Sequence, residues 1–135
     1  MAYEIPNFTV GEFPADVDMS TEATYQYSAV CVVTAASVTG AGVGGAAIVP
    51  PGSVTSPIIG VLQNNPAQAE AGQVMIQGVT KALAGGTFQI GDLLMVNSSG
   101  QFLKATSGNF AVAQALEKAV SGDITTVLLV RNGKQ

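Results

Sequence analysis

The chain has 135 residues, 47% of them hydrophobic and only 10% charged, with no His, no Trp, one Cys and a net charge of −4. This length suits one domain with a real core; the apolar content excludes disorder, and the scarcity of Glu, Lys and Arg excludes a coiled coil. Five bases leave no footprint for nucleic acid, and without His neither a usual zinc site nor, with one Cys, an intramolecular disulfide can be built.

Residues 1–25 hold Glu4, Glu12, Asp16, Asp18 and Glu22 and no base. They also carry Tyr3, Phe8, Phe13 and Tyr25, half of the aromatics. Pro6 and Pro14 disfavour a continuous helix. Two readings stand: an acidic N-terminal arm that reaches a neighbour, or an ordered strand and loop on the chain's own core. In the first, Tyr3, Ile5, Phe8, Val10, Phe13 and Tyr25 are the candidate interface residues, because aromatic and large apolar anchors dominate interface energy. Residues 26–135 then form a single β-rich domain. The start lacks the basic stretch of a signal peptide.

Residues 23–69 contain no charged side chain. Ala29–Val49 is long enough to cross a bilayer, but it holds four Gly, no Leu or Phe, and no flanking base, so no membrane span is expected. Tyr25–Thr34 is β-branched and strand-like, with Cys31 as a small buried hydrophobe. Ala46–Pro50 is a short strand after the Gly40–Gly45 loop. Pro57–Gln63 is a third, closed by the Asn64-Asn65-Pro66 turn. Gly72–Leu83 alternates as one strand, ended by Gly85-Gly86. Asp92–Asn97 and Gln101–Ala105 flank Ser98-Ser99-Gly100, a hairpin signature.

Phe110–Val120 has helical propensity, yet it alternates Phe110, Val112, Gln114 and Leu116 against small Ala residues, which favours a strand. Ile124–Arg131 is strand-like after Ser121-Gly122-Asp123. Seven or eight short strands make an all-β fold, a small barrel or sandwich with an extended N-terminal arm. The sequence shows no internal repeat.

Chemistry-bearing motifs are scarce. Gly40-Ala41-Gly42-Val43-Gly44-Gly45 matches the dinucleotide pattern, but Pro50-Pro51 forbids the helix that would meet the pyrophosphate. Without His there is no Ser-His-Asp or Cys-His arrangement. Glu70, Asp92, Glu117 and Asp123 sit at turns and read as solvated loop acids. Lys81, Lys104 and Lys118 read as solvent-facing strand positions. The expectation is no enzyme, no catalytic residue, no metal and no cofactor. So little charge also implies a surface hidden against copies of itself or a larger assembly.

From Gly60-Val61-Leu62-Gln63-Asn64-Asn65-Pro66 through Ala69-Glu70-Ala71-Gly72, Gly91-Asp92-Leu93-Leu94, Ala115-Leu116-Glu117 and Gly122-Asp123-Ile124 to Val127-Leu128-Leu129, the sequence resembles the capsid decoration (cement) proteins of tailed bacteriophages. The resemblance covers residues 57–131. It implies a structural virion protein, made in the host cytoplasm, that binds the outer surface of an icosahedral head. There it clamps neighbouring major capsid proteins and stabilises the shell, as a homo-oligomer with a trimer favoured. The alternative is a β-domain of a head fibre or tail that binds host surface or carbohydrate.

Overall fold

The computed structural model describes residues 9–21, 25–33, 47–54 and 56–130. Among them there is no helix. Ten strands run in order: β1 Thr9–Pro14, β2 Ala29–Val33, β3 Ala47–Val49, β4 Ile58–Leu62, β5 Ala71–Gln77, β6 Val79–Leu83, β7 Leu93–Val96, β8 Phe102–Lys104, β9 Ala113–Ala115 and β10 Ile124–Leu129. They form two five-stranded sheets, β1-β5-β4-β2-β3 and β6-β10-β9-β7-β8, with every strand pair antiparallel. The all-β expectation holds as a sandwich-like pair of sheets rather than a closed barrel.

The strand count exceeds seven or eight for two reasons. Thr9–Pro14 pairs with β5 as a full strand. Gly72–Leu83, read as one strand, is cut at Gly78, where φ is 112°. Only glycine takes that conformation without penalty, and the break sends β5 and β6 into different sheets. Phe110–Val120 is extended around β9, and its small face is the inward one: Ala111, Ala113 and Ala115 are buried, and Ala113 and Ala115 share a core with Phe88 and Phe102, which fill the space. The Ser98-Ser99-Gly100 hairpin joins β7 to β8. Asn97 Oδ1 accepts from the Ser99 and Gln101 amides at 2.9 and 3.0 Å, and Gly100 takes φ 81°.

The sequence shows no repeat, but the backbone is one. With β6 to β10 matched to β1 to β5, both sheets have the same strand order. In each, the residue after the first strand bridges the third in parallel: Ala15 to Ile48, Ala84 to Phe102. Each sheet is thereby curled, with the residue just past its first strand touching the third at one point. The registers agree as well. Leu62 opposes Val74 as Ala115 opposes Val127, and Val32 opposes Ile48 as Val96 opposes Phe102. The boundary between the halves is Gly78.

One turn recurs along the chain, and twice in each half it makes the same tertiary contact. Tyr27, Ala69, Gly91 and Gly122 have φ of 67°, 69°, 86° and 94°. The following residue donates its amide to the carbonyl three back in all four: Ser28 to Tyr25, Glu70 to Ala67, Asp92 to Gln89, Asp123 to Val120. Each turn is then locked to one residue of a neighbouring strand end by two hydrogen bonds. Gly122 N–H donates to the Ala84 carbonyl and Ala84 N–H to that of Asp123, both at 2.8 Å; Ala69, Ala15 and Glu70 repeat this at 2.9 Å.

Each curl encloses its own core. The first holds Ala15, Met19, Val30, Ile48, Leu62 and Val74. The second holds Ala84, Phe88, Leu94, Val96, Phe102, Ala115 and Val127, and extends to Ala29 and Val61 on the outside of the first curl. The halves are therefore joined head to tail: the second covers the first one's outer face. Leu83 N–H donates to the Tyr27 carbonyl at 2.9 Å, and Ala29 N–H to the Gly100 carbonyl at 2.8 Å. Gln63 Nε2 donates to Thr80 Oγ1 at 2.9 Å, and Lys81 Nζ lies 5.7 Å from the Tyr27 ring centre.

The shared turn makes a paired prediction. Ala69 bears a Cβ in the left-handed region, so Ala69→Gly is expected to raise stability to urea by about 0.5–1 kcal/mol. At the equivalent position Gly122→Ala meets open space but keeps the unfavourable φ, and is expected to cost about 1–2 kcal/mol. Effects of the same sign would contradict the equivalence.

Candidate functional site

The side chains that could carry chemistry are used to hold turns. Glu70 Oε2 accepts from the Ala67 amide at 2.9 Å, Asp92 Oδ2 from Gln89 at 2.8 Å, and Asp123 Oδ2 from Val120 at 3.0 Å. These are the acids of the recurring turn, each stabilising the amide three residues back. Glu117 Oε2 accepts from the Thr126 amide at 3.2 Å. Asp18 Oδ1 accepts from the Ser20 hydroxyl at 2.6 Å and the Ser20 amide at 2.9 Å, which hold its carboxyl below the usual range. Lys81, Lys104 and Lys118 are exposed, as their strand and loop positions suggest. Lys104 pairs with Asp92 at 3.5 Å on the surface, where such a pair contributes little. No group of His, Cys, Asp or Glu among the described residues could hold a metal ion. Cys31 is buried in β2, and burial pushes its thiol up.

The candidate interface residues of the N-terminal segment divide three ways. Tyr3, Ile5 and Phe8 lie outside the described residues, as does the Gly40–Gly45 loop. Val10 is in β1 opposite Met75. Phe13 and Tyr25 are half-buried, and each packs against the first core. Residues 9–19 thus follow the ordered strand-and-loop reading. The Ala15 amide bonds Glu70, the Met19 amide bonds Pro66, and both side chains are fully buried.

Among the described residues two apolar surfaces stand out, and neither was singled out in the sequence. The first is a cavity of about 290 Å³ between the halves. It is lined by matched positions of the two units, Ile59 with Val112, Ile76 with Leu129 and Gln77 with Val130, and floored by Phe102. The second is the outer face of the second sheet. Alternation along β6 and β10 turns Thr80, Ala82, Thr125 and Val127 inward and Val79, Ile124 and Leu128 outward. Outward positions of a half-solvated sheet are normally polar. Here Val79 is 41% exposed, Leu116 39% and Ile124 50%, with Val120 at the adjoining turn 54%. The readable signal was the exposed apolar Ile124 beside inward Thr125, with Leu128 outward beyond Val127.

A family model described as phage cement protein matches residues 19–131. None of the curated proteins matches the sequence. Among solved structures, the chain is similar to the N base of the head fibre gp8.5 of bacteriophage phi29, with a TM-score of 0.66 at 17% identity, covering 94% of this chain and 98% of that one. That likeness concerns the fold.

The placement of Cys31 is testable with a thiol reagent. Burial and a raised pKa keep the thiol protonated and shielded. In the folded protein near pH 8, Cys31 is expected to react at least tenfold more slowly than in denaturant. Because the folded-state pKa is raised, the unfolded thiol ionises first as pH rises, so this group's stabilising contribution is complete below the unfolded thiol's range and is lost above it. Equal labelling of folded and unfolded protein would contradict the buried position.

Proposed function

The chain belongs to the phage cement protein family, and from that premise we propose that it binds the outside of an icosahedral phage head and clamps neighbouring major capsid proteins without catalysis. The family match over residues 19–131 carries this reading. The chemistry of the surface supports it: five bases and nine acids serve the whole chain, the described acids mostly brace turns, and apolar side chains stand where water-facing ones are expected. Such a surface suits contact with protein. In this reading the protein is a homo-oligomer, a trimer favoured, and high copy number on a symmetric shell multiplies modest individual contacts.

The N-terminal segment contributes at its far end. Tyr3, Ile5, Phe8 and Val10 reach the capsid, while Phe13 and Tyr25 secure the base of the segment on the chain's own core. Two truncations separate these roles. Removing residues 2–8 leaves the described fold intact and is expected to weaken capsid binding about tenfold or more. Removing residues 2–22 takes away β1, Ala15 and Met19 and is expected to prevent folding, since two fully buried side chains and an edge strand are lost. Capsid binding unchanged by the shorter truncation would remove the segment from the interface.

A second reading, the base of a head fibre, is favoured by the fold shared with the phi29 fibre base. Cryo-EM of the particle distinguishes the two. A clamp gives external density bridging capsid subunits at many equivalent positions; a fibre base gives density continuing outward into a fibre. Protein absent from the outer surface of the particle would contradict both. A clamp also raises the disruption temperature of heads to which the protein is added, because binding at about 100-fold over Kd contributes about 2.7 kcal/mol per site.

A further inference from the structure

We propose that the outer face of the second sheet is a docking site for the first half of a second copy of this chain. The internal duplication points to the occupant. In the first half, the outward positions Ala29 and Val61 are covered by the second half and buried in its core. By register the equivalents of Ala29 and Val61 are Leu93 and Gln114, and within one chain these are only half-buried. Around them stand Val79, Leu116 and Ile124, each at least 39% exposed. A unit of this same fold therefore already sits on one of the two equivalent faces, and the other lies open.

Charge selects which half of the incoming copy docks. Residues 1–77 hold six acids and no base, whereas residues 79–135 hold five bases and three acids. Two halves of like fold and opposite charge attract head to tail. The open face carries Lys81, paired in register with Thr126, with Glu117, Lys118 and Asp123 exposed around it, so the charge preference is that of the two halves as wholes. The acidic first half of a neighbour is the complementary partner. Such a contact uses different surfaces on the two copies, so it closes into a ring or runs on as a chain. The proposal rests on and deepens the homo-oligomer part of the proposed function by naming its surface, and is independent of capsid binding.

The test is the mass of the full-length protein by size exclusion with light scattering, over about a hundredfold range in concentration. The wild type is expected at a multiple of 13.6 kDa. Leu116→Glu with Ile124→Glu places carboxylates in the contact; both sites are exposed, so folding, checked by thermal melting, is retained. This variant is expected at 13.6 kDa, with self-affinity reduced at least tenfold. Lys81→Glu with Lys118→Glu is expected to weaken association as well, and added salt to weaken it in the wild type. A wild type of single-copy mass throughout, or a Glu double variant that keeps the wild-type mass, overturns the proposal. Association unchanged by the Lys variant overturns the first half as occupant. Binding of the same variants to heads is scored separately, so loss of self-association with capsid binding kept leaves the clamp reading standing.

Discussion

One backbone device, made twice in each half, fixes how neighbouring strands meet in each sheet. A residue in the left-handed region and the residue after it grip a single residue on a neighbouring strand end through two short hydrogen bonds. Inside a protein such bonds are worth about 1 kcal/mol each net, but leaving the groups unpaired costs more. The device therefore decides the path of the chain rather than merely adding stability. It fastens neighbouring strands at their ends, β1 to β5 and β4 to β2 in the first half, β6 to β10 and β9 to β7 in the second, while the single bridges Ala15 to Ile48 and Ala84 to Phe102 bring each sheet's edge strands near one another and leave space for only a slim core in each half.

The cores show how two different sequences satisfy one backbone. Met19, Ile48 and Leu62 fill the first curl; Phe88, Phe102 and Ala115 fill the second at equivalent register. A larger ring in the second is offset by the smaller Ala. Packing density is conserved while side-chain identity is not, as close-packed interiors require. The acids follow the same logic. Glu70, Asp92 and Asp123 are turn braces in equivalent positions, so charge that would ordinarily solubilise a surface is partly committed to local structure. The faces left over are apolar, and that links the fold to a life in contact with other subunits.

Much of this was legible in the residues. Alternation and turn chemistry located Ala29–Val33, Ala47–Val49, Ile58–Leu62, Leu93–Val96, Phe102–Lys104 and Ile124–Leu129 to within a few positions. The Asn97 and Gly100 hairpin was written in its turn residues. The change of sheet at Gly78 was not, because Gly fits the alternation of a continuous strand and its φ is set only by tertiary pairing. The duplication was hidden for a related reason. It lives in hydrogen-bond register, and two of its four left-handed positions are occupied by Tyr27 and Ala69, where the turn pattern favours Gly. Only Gly91-Asp92 and Gly122-Asp123 repeat as letters. The apolar outer face around Ile124 was visible as alternation but needed the inward Thr125 and Val127 to show which side faced out.

The central claim is that this apolar face is covered when the protein is at work. Its most direct test is chemical access to position 124 on the intact particle, using Ile124→Cys with a polar maleimide, since Cys31 is buried. The account predicts little labelling on intact particles and full labelling once they are dissociated. Rapid, complete labelling on the intact particle would contradict it.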